Sequence, residues 1–274
     1  MGKCLGIPVV YDIYDKYTAS REIKGTVGWL FDKLEMLAVN TSNHTILPDV
    51  SRYKQFGIST TNSDVTIIEN VPMYSTVPTS KTSLDRPKEV SYVLCYVGIL
   101  EPTHRGLEDL LKVVSTKPGI QLYIAGFGPL EAKVIEYAEK HSNIRFLGEV
   151  DRTEAFHIMQ QSDIHVGMYY KTVSNHYYAA PNKYYEHLYF GKPLITTQGT
   201  PPGSRVEDLS TGWAISEGES NISSCLDNLD PIVVSGYSSN ARKQWDNKYS
   251  QYKEYFYSTY LSIVDELLFR KNEC

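Results

Sequence analysis

The sequence contains no apolar run approaching the ~18–20 residues that a membrane-spanning helix needs. Its opening, Met1-Gly2-Lys3-Cys4-Leu5-Gly6, lacks the long apolar core of a signal peptide. Basic excess is missing too. With 27 Lys and Arg against 32 Asp and Glu, the formal charge is -5, which argues against a nucleic-acid partner that would demand a basic face. Cysteine is scarce: Cys4, Cys95, Cys225 and Cys274 lie far apart without paired spacing. That pattern excludes a disulfide frame and a Cys-based zinc site, and reads as reduced thiols in the cytosol. No internal repeat or low-complexity stretch is visible. What remains is a chain of 274 residues, long enough for one or two compact domains.

The elements that are present alternate. Ile7 to Tyr11 reads as a strand. Val27, Leu30, Phe31, Leu34, Leu37 and Ala38 recur at helical spacing, which predicts an amphipathic helix over 26–39. A strand at 45–47, a short helix at 51–56 and a strand at 65–68 follow. Residues 73–89, with Pro78, Pro87 and several Ser and Thr, have the composition of a linker. Beyond it, strands are expected at 91–97, 121–125, 144–147, 164–169, 193–197 and 212–215. Helices are expected around 107–114 and at 129–140, 153–160 and 181–190. Residues 198–207 read as a loop, and 239–270 as a helical tail rich in tyrosine. Strict alternation of strand and helix implies a parallel sheet covered on both faces. Such sheets bind ligands beyond the carboxyl ends of their strands.

The most informative stretch runs from Ala180 to Ile195. Pro181 suits a first helical turn and Gly191 a helix stop. The turn they bound would present free N–H groups and a positive dipole end to a diphosphate, with Lys183 adding a charge. Glu186 lies one turn in, on the side of Asn182, where a carboxylate can accept two hydrogen bonds from a ribose diol. The residues alone equally allow a capped, surface-charged helix. Arg105 opens another helix, where a positive charge opposes the dipole; either solvent or an anion answers it.

The stretch Pro181-Asn182-Lys183-Tyr184-Tyr185-Glu186 with Gly191-Lys192-Pro193 resembles that of GT-B glycosyltransferases of the GT4 type. Two further stretches are similar to the same family: Tyr96-Val97-Gly98-Ile99-Leu100 through Arg105-Gly106-Leu107, and Gly126-Phe127-Gly128-Pro129-Leu130-Glu131 followed by Asn143 to Val150. The resemblance implies an α/β fold of the GT-B type. A Rossmann-like parallel-sheet domain would lie C-terminal (90–238), behind a partial Rossmann-like domain over 1–75 and a linker at 76–89. The tail, 239–274, would pack back on the N-terminal part.

It further implies transfer of a sugar from a nucleotide-sugar donor to a hydroxyl of a glycan or lipid-linked acceptor, with retention and with no metal or other cofactor. Arg105 and Lys183 would neutralise the diphosphate, Glu186 hold the ribose beside Asn182, and the backbone near Gly148 and Val150 hold the base. Gly98, Gly126 and Gly128 would shape the floor. The first acid of the family's paired-Glu pattern falls at Tyr178, which is not acidic, and a second basic slot falls at Ile99. In the N-terminal segment, Val9 to Asp15 resembles the rear of the acceptor domain, and Asp15 would either orient an acceptor hydroxyl or cap the next turn.

The front of that domain has no counterpart here. A partner chain supplying the rest, or a non-catalytic donor-binding fragment of a split enzyme, is the alternative expectation. The compartment implied is the cytoplasm, with peripheral placement at the inner membrane face, and surface polysaccharide assembly is the role that fits.

Overall fold

The computed structural model describes residues 7–74, 84–102 and 104–272, without the side chains of 270–272. Two compact units are formed. The first combines the N-terminal 73 residues with Val173–Ala180 and the segment from Ser250 onward; the second comprises Tyr74–Thr172 and Pro181–Tyr249.

The first unit holds β1 (Val10–Asp12), α1 (Tyr17–Ser20), α2 (Gly25–Thr41), β2 (His44–Leu47), α3 (Ser51–Phe56) and β3 (Val65–Ile67). Its three strands pair in parallel in the order β1-β2-β3. Ile13, Val39, Leu47, Tyr53 and Phe56 form one core cluster of this unit.

The second unit holds β4 (Tyr92–Val97), α4 (Leu107–Val114), β5 (Ile120–Ala125), α5 (Glu131–Lys140), β6 (Ile144–Phe146) and α6 (Arg152–Gln161). It continues through β7 (Ile164–Gly167), α7 (Asn182–Phe190), β8 (Leu194–Thr197), α8 (Pro201–Asp208), β9 (Gly212–Ile215), α9 (Glu219–Asp227) and α10 (Pro231–Gln244). The six strands are parallel, in the order β6-β5-β4-β7-β8-β9. The order reverses at β4 and β7, so the strand ends there form a topological switch point, where open α/β sheets leave a crevice. The strands β5, β7 and β8 are buried throughout, as a sheet covered on both faces requires. Leu107, Leu110, Leu111 and Val114 of α4 pack on Leu94, Leu122 and Ile124.

Three expectations are corrected. Residues 198–207 are mostly helix, not loop. Thr200 caps α8 by accepting from the Gly203 amide at 3.2 Å, and Pro201 and Pro202 occupy first-turn positions where no N–H is needed. The tail is not one helix over 239–270. It starts at Pro231, capped by Asp230, loosens into a π-helical turn at Trp245–Tyr249, and resumes as α11 (Tyr252–Asn272). Within the first unit, Ile263 and Leu267 of α11 pack on Ile46 and Ile68.

The third correction concerns α2. Its apolar stripe faces outward, with Leu30 and Leu34 each 52% exposed, while Gly28, Glu35 and Val39 are buried. Polar ties set this orientation. Glu35 accepts from the Tyr17 amide at 3.0 Å, Asp32 pairs with Lys16 at 3.0 Å, and Gly28 meets the Ile23 carbonyl so closely that a Cβ would lie 2.4 Å from its oxygen.

Part of the expected linker, 75–83, lies outside the described residues, as do Cys4 and Cys274. Residues after it are fixed on the second unit: the Leu84 amide donates to Gln161 Oε1 at 2.7 Å, and Arg86 pairs with Asp163 at 3.0 Å.

Candidate functional site

The site gathers at the carboxyl ends of the central strands of the second unit. The turn after β4 contains Gly98, whose amide donates to the Ala125 carbonyl at 2.9 Å. The turn after β5 contains Gly126 and Gly128, and the Gly126 amide donates to the Gly148 carbonyl at 2.8 Å. Gly126 has φ +140°, and a Cβ there would lie 1.9 Å from the Gly98 carbonyl oxygen; only glycine fits. Gly128 approaches Leu100 in the same way, its Cβ position 2.7 Å from the Leu100 oxygen. Gly98, Gly126, Gly128 and Gly148 thus form a run of backbone without side chains across three strand ends. Val150, two residues beyond Gly148, is partly buried before α6.

Helix α7 brings the polar groups. Pro181 stands at its N-cap in extended backbone, no side chain caps it, and Gly191 ends it with φ +61°. Its first-turn amides are of the kind an anion satisfies. Asn182 is exposed on that turn. Lys183 turns inward and its ammonium donates to the Val97 carbonyl, where β4 ends. The same ammonium lies 4.9 Å from the centroid of the Tyr96 ring, a cation–π distance. Gly98 faces it, with 3.6 Å between Lys183 Nζ and the Cβ position of the glycine.

Arg105 joins this group from the segment before α4. Its guanidinium stacks over the Tyr169 ring at 5.0 Å and its Nε donates to Glu101 at 3.1 Å. A carboxylate and an aromatic face thus meet its charge, and the side chain stays 27% exposed. The terminal nitrogens keep no partner among the described residues.

The electrostatics tie the three residues together. Burial pulls the Lys183 ammonium below its ordinary pKa; Glu186 opposes this and Arg105 adds to it. Burial pushes the Glu186 carboxyl up, against the pull of Lys183 and Arg152. Burial would also lower Arg105, but Tyr169, Glu101 and Tyr96 outweigh it and raise it. Lys183 therefore feels the charge of both Arg105 and Glu186. Among the described residues, Glu186 makes no hydrogen bond or ion pair. The arrangement offers two cations, a helix N-terminus and a carboxylate one turn away, around a stretch of bare backbone. It can bind a diphosphate at the cationic end and a diol at the acidic one.

Asp15 belongs to the first unit, in a setting of its own. Its Oδ1 accepts from Arg52 at 2.6 Å and from Asn175 Nδ2 at 3.0 Å. Arg52 is wholly buried and also donates to Gln55 at 2.6 Å and Asn175 at 3.0 Å. The capping alternative for Asp15 gives way: α1 follows Lys16 and has no side-chain cap. Arg52, Asn175, Glu101 and Tyr169 escaped the sequence reading as partners of the candidate residues. Tyr96 stood inside a quoted stretch, but nothing in the sequence marked Arg52.

Comparison with known proteins gives the site its context. The chain matches the family model described as glycosyl transferases group 1 over residues 81–248. A glycogen synthase of Mycobacterium tuberculosis is 31% identical over 133 residues, which cover 46% of this chain and 31% of that protein. Among solved structures, a TarM mutant from S. aureus, in complex with Fondaparinux, alpha-GlcNAc-glycerol and UDP, is similar with a TM-score of 0.63 and 15% identity. That match covers 94% of this chain and 50% of TarM, so the chain spans half the length of that structure. Anabaena HepE, in complex with UDP and glucose, has a TM-score of 0.66 and 16% identity, covering 95% of this chain and 73% of HepE. The fold is that of these GT-B glycosyltransferases. The six-stranded sheet and its glycine-lined strand ends lie within the matched span, and the chain belongs to the glycosyl transferases group 1 family.

Proposed function

We propose that this chain binds a nucleotide-sugar donor on its second unit and moves the sugar, with retention, to a hydroxyl of a glycan or lipid-linked acceptor. The observation that carries this reading is the placement of Lys183 at the end of β4, facing Gly98 and within the charge of both Arg105 and Glu186, beside the N-terminus of α7. Arg105 and Lys183 would hold the diphosphate and stabilise the charge that grows on it as the glycosidic bond breaks, the role a metal plays in other transferases. Glu186, with Asn182 on the turn before it, would accept from the ribose hydroxyls. The backbone at Gly148 and Val150 would meet the base, and Asp15 would keep its acceptor-side role. Surface polysaccharide assembly in the cytoplasm, at the inner membrane face, is the setting that fits. No described helix is long and apolar enough to cross a membrane.

Calorimetric titration with UDP, UDP-glucose and inorganic pyrophosphate tests it. Lys183→Ala should weaken all three at least about tenfold, the loss of one charged contact. Glu186→Gln should weaken the nucleotides and leave pyrophosphate unchanged. Nucleotide binding indifferent to both substitutions would sink the assignment.

A second reading is donor binding without transfer, by one subunit of a split enzyme whose partner chain completes the first unit. The outward apolar face of α2 favours it. Glycosylated product from the chain alone would refute it; product only after adding a second polypeptide would support it.

A further inference from the structure

Helix α6 opens on Arg152, two residues beyond Val150. A cation in a first helical turn opposes the helix dipole, so the dipole does not account for it. Its guanidinium carbon lies 5.6 Å from the centroid of the Tyr74 ring and 5.2 Å from that of Phe156, both cation–π distances. The Tyr74 ring is itself packed, with its centroid 4.3 Å from that of Tyr189 and 5.0 Å from that of Phe156. All four residues belong to the second unit. The guanidinium is thus held on an aromatic ledge to which α6 and α7 both contribute.

Tyr189 marks where on α7 this ledge sits. Residues three apart share a helix face, which puts Glu186 on the side of α7 that carries Tyr189 and Tyr74. The electrostatics agree: Arg152 pulls the Glu186 carboxyl down against burial, and Glu186 pushes the Tyr74 hydroxyl up. The groups that face Glu186 are Lys183 from its own helix, Arg152 from α6, Tyr74, Cys95 of β4 and Tyr169 beyond β7. Burial pushes the Cys95 thiol up to about 11 and raises both tyrosines, so these three stay neutral at ordinary pH. Of the two cations, Lys183 is already committed to the Val97 carbonyl. Arg152 makes no ion pair with Glu186, so neither carboxylate oxygen is spent on it.

We propose that Arg152 is a positioning residue of the donor site: from its ledge on Tyr74 and Phe156 it faces the Glu186 side of α7 and holds that carboxylate ready for a ribose diol, with no part in binding the phosphates. The inference rests on the ribose reading of Glu186 given above. A carboxylate accepts from both hydroxyls of a diol, whereas its neutral form carries a proton on one oxygen and accepts less. A cation in contact would occupy those oxygens; one held back on a ring lends its field and leaves them open. Loss of Arg152 lets burial carry the Glu186 carboxyl further up. Proton uptake then begins at higher pH, and nucleotide affinity falls first on the acid side.

Calorimetry of the full chain with UDP-glucose and ADP-glucose between about pH 6 and about pH 8.5 tests it, the ratio of variant to wild-type affinity being taken at each pH. Arg152→Gln should weaken the sugar nucleotide at least about fivefold at the acid end and less at the alkaline end. Arg152→Lys, which keeps the charge, should restore most of the affinity. Inorganic pyrophosphate should bind both variants as it binds the wild type. The sharpest measurement is the double variant: in a Glu186→Gln background, Arg152→Gln should cost nothing further. An equal loss in that background, or one independent of pH, would mean that Arg152 touches the nucleotide itself or serves packing alone, and would overturn the proposal. Glu186→Gln without effect would instead refute the ribose reading. Weakening by Glu186→Gln with Arg152→Gln silent would overturn the positioning role and leave that reading intact.

Discussion

Helices α2 and α4 invite comparison, because both carry apolar residues at helical spacing and they end in opposite situations. In α4 the stripe Leu107, Leu110, Leu111, Val114 is buried on a six-stranded sheet. In α2 the stripe Val27, Leu30, Leu34, Leu37 is more than half exposed, and Gly28 and Glu35 face inward. Periodicity states that a helix has two faces; it does not state which of them the fold turns inward. In α2 a close backbone approach at Gly28, a buried contact of Glu35 and a partly exposed pair of Asp32 with Lys16 decide the matter. Burial leaves its mark on Glu35, whose carboxyl is pushed up by desolvation against the donation from Tyr17.

The contrast can be broken or sharpened by measurement. The largest effect is expected in α4. Leu111→Ala, at a fully buried position, should destabilise the second unit by about 4 kcal/mol in denaturant unfolding. A loss under 1 kcal/mol would mean that the core is looser than the packing shows.

Next comes pH. His187 is buried in the second unit, donates from Nδ1 to the Lys192 carbonyl at 2.8 Å, and has its pKa lowered by burial to about 4. A histidine kept neutral by the fold contributes stability fully above its unfolded value, ~6.5. That contribution falls as pH drops from there and is gone below about 4. Through His187 alone the second unit should therefore lose about 3 kcal/mol between pH 6.5 and 4. His187→Gln should reduce the slope over that window, leaving the part that buried His165 contributes; an unchanged slope would refute the assignment.

A smaller effect belongs to the first unit. Asp15→Ala leaves the wholly buried Arg52 without its carboxylate, and should cost about 2 kcal/mol, less than for a fully buried pair because the Asp15 side chain is 50% exposed. Thermal unfolding followed by exchange at β2 would register it, and no change would show Arg52 to be satisfied without Asp15. The smallest effect closes the comparison: Leu34→Lys in α2 should alter stability by less than about 0.5 kcal/mol and improve solubility. A loss comparable to that in α4 would mean that the face is covered in solution.

The same contrast explains what could be read in advance. The central strands among the described residues were legible because buried parallel strands leave short apolar runs between turn residues, as Leu122 to Ala125 and Leu194 to Thr197 do. Helix α7 was legible from Pro181 and Gly191, whose backbone requirements are local. Helix α8 was not, since Thr-Pro-Pro-Gly reads equally as a loop, and the capping bond of Thr200 decides it only in three dimensions. At the candidate site, Lys183 and Glu186 share one turn and could be paired from spacing alone. The stacking of Arg105 on Tyr169 joins residues 64 apart in the chain, and the Asp15–Asn175 contact joins residues 160 apart. No local pattern encodes such pairs.

The close passage of Gly126 over the Gly98 carbonyl has a consequence for lineages of this family. It is a requirement of chain against chain and would persist in a descendant that had abandoned its donor altogether. Retained glycines at 98, 126 and 128 would then testify to ancestry and to a sound scaffold, and say nothing about turnover. A drifting residue at 186 beside unchanged glycines would be the signature of a retired enzyme.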